Sequence, residues 1–258
     1  MRVARGKNLT NPADRARVRR TPGNLPRGAG APARFTGFDR DALQFFHELA
    51  VEMNRDWFEA NKRRYLAQCV QPMTALLGEV AARLARRYAP IRLGAPSLFR
   101  IYRDTRFAND KSPYKTHVAG RLPLHARLPV DGGCSALYLQ IGSDEEYAGV
   151  GTYFFDAPQL ARWRRLVAAD RTGKPLAAMI DKLRKAGYRV GGHDDYKRVP
   201  RGLPPDHPRA ELLRMRGLTA AFPEIPRGLL HDPALVDWLV AHGRATAPLV
   251  SWLYRQVK

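Results

Sequence analysis

The 258-residue sequence has only two cysteines, few acidic residues and no long apolar run. Cys69 and Cys134 stand in no CxxC or CxH spacing, so the sequence predicts neither a metal site nor a disulfide framework. No segment reaches the roughly 18 apolar residues of a membrane span, and the N-terminus lacks the apolar core of a signal peptide. These absences favour a soluble, cytoplasmic protein with no membrane partner.

Positive charge is in large excess. The sequence holds 44 lysines and arginines against 24 acidic residues, a formal net charge of +20, which favours anionic partners. Residues 1–34 carry nine of the basic residues and one acid, Asp14, so this tail accounts for +8 and the rest of the chain for +12. A biased genome composition also explains many arginines, so charge alone leaves nucleic-acid binding open.

The first 34 residues are rich in proline and glycine as well as arginine, which predicts a disordered basic tail. Their arginine-rich, acid-poor composition also resembles an organelle transit peptide, although the segment contains no serine. A wrongly assigned start codon is a further alternative. Residues 35–258 are predicted to form a single α+β domain.

Capping residues and apolar spacing predict helices at both ends of this domain. Asp39 precedes a helical apolar stripe, and Asp56 with Glu59 resembles a capping box for a second helix, which Pro72 breaks or restarts. Four further helices are predicted: after Asp156, over residues 175–186, after Asp206, and from Asp232 with an interruption near Pro248.

Strands are predicted in the middle of the chain from β-branched and aromatic content, partial alternation and intervening turn residues. They cover residues 97–103, 114–122, 134–142 and 147–154, with short strands at 188–190 and 197–199. Because there is no regular βαβ alternation, the fold class is α+β. We expect a helical N-terminal part, a central mostly antiparallel sheet that includes a long-loop hairpin, helices packed on it and a helical C-terminus.

The densest polar segment runs from residue 100 to residue 117 and holds five cations and two acids. As a hairpin it brings arginine forks, which bind carboxylate or phosphate, close to rings that stack, Phe107 among them. The predicted ligand-binding residues are Arg100, Tyr102, Arg103, Arg106, Lys111, Tyr114 and Lys115. The alternative is that Asp104 and Asp110 pair with these cations and only stabilise the loop.

No pattern identifies a reaction, so catalytic residues and cofactors stay unknown. His117, which follows the hairpin, is a weak candidate for a general acid or base. Two short runs, His193-Asp194-Asp195 and Asp206-His207, place carboxylates beside imidazoles without a full metal-ligand set. Arg55, before Trp57, could extend the basic surface.

Four blocks follow one another along the chain: FTGFDRDALQFFHELAVEMNRDWFEANKRRY, RIYRDTRFANDKSPYKTH, GVGTYFFDAPQLARWR and GLPPDHPRAELLRMRGL. Over about residues 35–255 they resemble the bacterial-type family catalogued as domain of unknown function 2461. The resemblance implies no established reaction, cofactor or catalytic residue. Met53 departs from the family, which often has an Asn pair before the Arg-Asp-Trp-Phe motif, and the arginine-rich tail is an addition.

Three functions remain as hypotheses. The first is binding of a small anion, phosphate or carboxylate, by the basic hairpin. The second is nucleic-acid binding, in which the tail contacts phosphates and the hairpin rings stack on unpaired bases. The third is docking of an acidic protein on the same basic segment. The sequence does not determine the oligomeric state.

Overall fold

The computed structural model describes residues 34–104, 106, 110–125, 135–143, 145–193 and 195–257. The predicted tail, apart from Arg34, lies outside these residues, as do Phe107, Cys134 and Asp194. The helices within the described ranges are α1 Arg40–Glu52, α2 Arg55–Tyr65, a π-helical turn Leu66–Val70, α3 Gln71–Tyr88, α4 Ala157–Ala168, α5 Asp170–Lys185, α6 Ala210–Arg214, a 3-10 helical turn Leu229–His231 and α7 Leu235–Gln256.

Six strands form one sheet in the order β1-β2-β3-β4-β6-β5, and every neighbouring pair is antiparallel. Their bounds are β1 Ser97–Leu98, β2 His117–Pro123, β3 Ala136–Gly142, β4 Tyr147–Thr152, β5 Arg189–Gly191 and β6 Leu218–Ala221. The predicted α+β fold is confirmed, with helices before, within and after an antiparallel sheet.

The alternation predicted for the third strand places one face of the sheet in the core. Leu137, Leu139 and Ile141 are each at most 1% exposed, as expected for residues that share one face of a strand. Helix α3 packs closely on this face, since a Cβ at Gly120 of β2 would lie 2.5 Å from Leu77 Cδ1. Buried residues of the helices and strands join in one hydrophobic cluster.

Two of the predicted helix caps are confirmed. The Asp39 carboxylate accepts the backbone N–H of Asp41 at the start of α1. Asp156 forms a full capping box with Gln159, in which each side chain accepts the other residue's backbone N–H. Pro72, which was predicted to break or restart the second helix, lies in the first turn of α3, and the π-helical turn leads into α3 without a break.

Two other cap predictions are wrong. Asn54, not Asp56, caps α2, because its side chain accepts the backbone N–H of Trp57 and the helix already begins at Arg55. Asp206 caps no helix, since α6 begins only at Ala210. A turn separates Asp206 from α6, and in this turn His207 Nδ1 accepts the backbone N–H of Arg209.

Prediction and structure also differ in the last third of the chain. Helix α7 continues through Pro248, because the burial of Ala247, Leu249 and Val250 on both sides of the proline outweighs the lost hydrogen bond. Residues 197–199 form no strand. The alanine-rich strand β6 was not predicted, because its stability comes from pairing between β4 and β5 and not from its own residues.

Met53 ends α1 in the left-handed conformation, at φ 39° and ψ 33°, where its backbone N–H bonds to the Leu49 carbonyl. Asparagine adopts this conformation at lower cost than methionine.

The antiparallel register places the strand termini at two opposite ends of the sheet. His117 pairs with Gly142 at the first end, so the segment 99–116, which precedes β2, lies there. Pro123 pairs with Ala136, and Ala136 with Gly151, at the second end. The last residues of β4 and β5 and the first of β6 also lie at the second end, because Gly151 and Gly191 both pair with Thr219.

Candidate functional site

The segment 99–116 folds back on itself as predicted, and we call it the basic hairpin. Arg103 donates its backbone N–H to the Pro113 carbonyl at 2.9 Å, and Lys115 donates to the Ile101 carbonyl at 2.8 Å. Tyr102 and Tyr114 form an isolated bridge between these bonds. The continuous strand predicted over 97–103 is shorter than expected, since only Ser97–Leu98 pairs with β2 in a ladder.

An aromatic cluster fixes the base of the basic hairpin against α2. The ring of Phe58 stacks on that of Tyr114 at a centroid distance of 4.6 Å, and Tyr102 lies 5.4 Å from Tyr114. Phe58 and Tyr114 are each 2% exposed, whereas Tyr102 is 43% exposed. The buried pair therefore holds one tyrosine ring in place with part of its surface open to solvent.

Both acids of the basic hairpin pair with arginines. Arg103 donates to Asp110 at 2.7 Å and, through Nε, to the Tyr114 carbonyl at 2.8 Å. Arg106 binds Asp104 with two hydrogen bonds, of 2.8 and 2.6 Å. This bidentate contact lowers the pKa of Asp104 to about 2, and the pKa of Asp110 is lowered first by the backbone N–H of Ser112.

The predicted ligand-binding residues therefore divide into groups. Arg103 and Arg106 form the ion pairs that the structural alternative anticipated. Lys115 places its Nζ 5.8 Å from the centroid of Phe99, and Arg121 covers the same ring at 5.4 Å. Lys111 is exposed in the loop.

Arg100 differs from these residues. Its side chain is exposed and forms no hydrogen bond or ion pair with any residue that the structure describes. It lies near enough to Asp104 to contribute to the lowered pKa of that carboxyl. Arg100 is thus the arginine of the basic hairpin whose donors are available to a ligand.

Helix α2 brings further charge to the same place. Burial raises the pKa of Tyr114, while the positive charges of Arg55 and Lys62 oppose that rise, so both cations lie near the ring. Lys62 is paired with Glu59 at 2.9 Å. Helical spacing places Arg55, Phe58 and Lys62 on one face of α2, and this spacing is the sequence signal that could have linked the helix to the hairpin.

The weak candidate for acid–base chemistry gains no support from geometry. His117 is half-buried and packs against Gly142, where a Cβ would lie 2.4 Å from that of His117, so its role in acid-base chemistry stays a prediction. Burial raises the pKa of the Cys69 thiol to about 12, which disfavours the nucleophilic thiolate.

A metal site and a membrane span each require a particular group of residues, and the part of the chain that the structure describes contains neither group. There, no three His, Cys, Asp or Glu side chains lie together as a metal-ligand set. His193 instead shares a hydrogen bond of 3.0 Å with the Thr219 hydroxyl. Among the same residues, no helix is both long and apolar enough to cross a membrane.

One group of candidate functional side chains corresponds to no pattern in the sequence. Four side chains from separate segments stack on one another at the second end of the sheet: Phe154, Arg164, Tyr196 and Arg216. No short sequence window contains more than two of them, so no local motif could have indicated the group.

The fold and the basic hairpin define an α+β protein in which helices pack on an antiparallel sheet and a cation-rich hairpin lies at one end of that sheet. The family model described as "Conserved hypothetical protein (DUF2461)" matches residues 41–252, so the chain belongs to this family. Searches of curated proteins and of solved structures found no match. The family description names no ligand and no reaction.

Proposed function

We propose that the protein binds a small anionic ligand, a phosphate or a carboxylate, at the basic hairpin. The observation that carries the proposal is the position of Arg100, an exposed guanidinium without a described acidic partner, two residues before the partly exposed ring of Tyr102. Arginine suits this role because its planar fork can donate two hydrogen bonds to one anion.

The two ion pairs support the proposal in an indirect way. Within each of the pairs Arg103–Asp110 and Arg106–Asp104, the two charges neutralise each other, and the pairs hold the loop. They therefore keep the basic hairpin ordered without occupying Arg100. Tyr102 rests on the buried Tyr114 and Phe58 and offers an aromatic surface beside that charge. A ligand that combines an anionic group with a flat or apolar part would use both.

Calorimetric titration of the full chain tests the proposal with inorganic phosphate, nucleotides, sugar phosphates and citrate. Arg100→Gln should weaken the binding of one anion class about tenfold or more, since a charge-assisted hydrogen bond contributes roughly 1.5–3 kcal/mol. Arg171→Gln, which removes an exposed arginine from α5, is the matched control and should leave affinity unchanged. The proposal is wrong if no anion binds or if Arg100→Gln binds as well as the wild type.

Nucleic-acid binding is the second candidate, because the tail carries a net +8 and Tyr102 offers a ring on which an unpaired base could stack. About eight phosphate contacts on duplex DNA would give a slope near −7 for log affinity against log salt. Deleting residues 1–34 should reduce that slope sharply. Equal affinity and slope without the tail would remove this candidate.

A further inference from the structure

At the second end of the sheet, a set of aromatic and arginine side chains lies in a fixed backbone frame. The segment around Arg216 is bonded on both sides: Phe155 donates its backbone N–H to the Arg216 carbonyl at 2.8 Å, and Tyr196 donates to the Arg214 carbonyl at 2.9 Å. A Cβ at Gly217 would lie 2.1 Å from the Tyr153 carbonyl oxygen, so only glycine permits this close approach. The frame places Phe154 and Tyr196 beside Arg216.

Arginines and rings are in contact within this frame. The guanidinium carbon of Arg216 lies 5.0 Å from the centroid of Phe154 and 5.3 Å from that of Tyr196. Arg164, from α4, lies 5.0 Å from the centroid of the same Tyr196 ring. These distances are within the range of cation–π attraction. We call Phe154, Arg164, Tyr196 and Arg216 the arginine stack.

The arginines of the stack lack acidic partners. Neither guanidinium forms a hydrogen bond or an ion pair with a described residue, and the Nε atoms of both are buried without an acceptor. A guanidinium that loses water without gaining an acceptor is costly, and an external anion would offset that cost. Both arginine side chains keep part of their surface in solvent, and Phe154 and Tyr196 are 45% and 42% exposed.

The described surroundings carry a net positive charge. The segments 153–156, 195–198 and 211–217, together with Arg164, contain five cations and three acids among the residues that the structure describes, and one of these acids, Glu211, is paired with Arg184. Among these acids, the Asp195 carboxylate lies close to the backbone N–H of Arg216 and to the charge of Arg214, and it forms no ion pair with Arg164 or Arg216. Positive charge here is therefore not neutralised in the way it is at the basic hairpin.

We propose that the arginine stack is a second binding site, for the phosphate of a ligand that also carries a flat ring, as in a nucleoside phosphate. The terminal nitrogens of Arg164 and Arg216 would donate to the phosphate oxygens, and the ring of the ligand would stack on the open surface of Tyr196 or Phe154. The site lies at the opposite end of the sheet from the basic hairpin and does not depend on the function proposed for it.

Calorimetry on the full chain at low salt tests the site with adenosine monophosphate, inorganic phosphate and a short single-stranded oligonucleotide as probes. Arg164→Gln and Arg216→Gln should each weaken binding of adenosine monophosphate at least tenfold. Arg165→Gln is the matched control: it removes the same charge from the next, exposed position of α4 and should leave affinity unchanged. Arg100→Gln should leave the affinity of the arginine stack unchanged, so any affinity for adenosine monophosphate that this variant loses belongs to the basic hairpin.

The probes identify the source of the phosphate. Tighter binding of the oligonucleotide than of the mononucleotide would support a site for single-stranded nucleic acid, and similar binding would support a free nucleotide. The proposal is overturned if no probe binds at millimolar concentration, if inorganic phosphate binds as tightly as adenosine monophosphate, or if Arg165→Gln loses as much affinity as the stack variants.

A measurement on the wild type keeps the test independent of whether the variants fold. Phenylglyoxal modifies accessible arginines, and mass spectrometry of the peptides reports each position. Adenosine monophosphate should protect Arg164 and Arg216 severalfold from modification and leave Arg165 unprotected. Equal modification of the three arginines with and without the nucleotide would contradict the site.

Discussion

The basic hairpin and the arginine stack solve the same physical problem in different ways. Each brings arginines close to aromatic rings at one end of the sheet. The basic hairpin supplies acids of its own, and Asp104 and Asp110 neutralise Arg106 and Arg103. The arginine stack supplies rings instead, and its two guanidiniums have no described acidic partner. Local charge count therefore says little about anion binding until the pairing of each cation is known.

The largest expected effect concerns what holds the basic hairpin in place. Phe58→Ala should lower the free energy of unfolding by about 3–5 kcal/mol, because Phe58 is buried and contacts the rings of Tyr65, Tyr102 and Tyr114. Urea denaturation measures the change. Asp110→Asn, which removes an exposed ion pair, should cost less than about 1 kcal/mol. A larger loss from Asp110→Asn than from Phe58→Ala would show that charge, not packing, fixes the hairpin.

The next effect is at the arginine stack. Arg216→Gln should cost about 1–2 kcal/mol, because it removes two cation–π contacts that contribute about 0.5–1 kcal/mol each. Arg216→Lys should recover only part of this loss, since a compact ammonium cannot stack as a planar guanidinium does. Chemical denaturation compares both with Arg165→Gln, the control on α4. If Arg216→Gln and Arg165→Gln unfold at the same urea concentration, the ring contacts contribute nothing.

A smaller effect is the pH dependence of the basic hairpin. The pKa of Asp104 is lowered to about 2 and that of Asp110 is also lowered, so their ion pairs stabilise the folded state above the usual carboxyl pKa. This stabilisation should disappear as the pH falls from about 4 towards 2. The NMR signals of the Arg103 and Arg106 side chains should move over that range. Their constancy down to pH 2 would mean that the pairs do not form in solution.

The smallest effect has the opposite sign and belongs to the surroundings of the arginine stack. Partial burial raises the pKa of Asp195, so its ionised form weakens the folded state as the pH rises through the folded-state value. Asp195→Asn should stabilise the protein at pH 7 by within about 0.5 kcal/mol, and the difference should vanish below about pH 4. Melting temperatures at the two pH values measure this. A destabilised variant at pH 7 would mean that the charge itself is needed.

The contrast between the two regions also explains what the sequence could and could not predict. The basic hairpin lies within 18 consecutive residues, and its turn formers and extended flanks indicate that the chain returns on itself. Asp39 and Asp156 begin their helices as local capping rules predict. Such features depend on neighbours in sequence, and for that reason they are legible without a structure.

Features that depend on distant partners were not predictable. Strand β6 forms because β4 and β5 lie on either side of it, and α7 passes through Pro248 because buried residues hold both halves. The contact of Phe58 with Tyr114 joins residues 56 positions apart, which no spacing rule connects. From the sequence, pairing of the hairpin acids with some of its cations was one of two alternatives. Only the structure shows which arginines are paired, and so distinguishes Arg100 from Arg103 and Arg106.

The most direct test of this account is whether pairing decides which hairpin arginine binds an anion. The full chain, Arg100→Gln and Arg106→Gln are titrated side by side with the anion that gives the largest rise in melting temperature. If pairing decides, Arg100→Gln should lose the rise, whereas Arg106→Gln should retain most of it, because Asp104 already occupies Arg106 in the wild type. Loss of the rise in Arg106→Gln but not in Arg100→Gln would contradict the account.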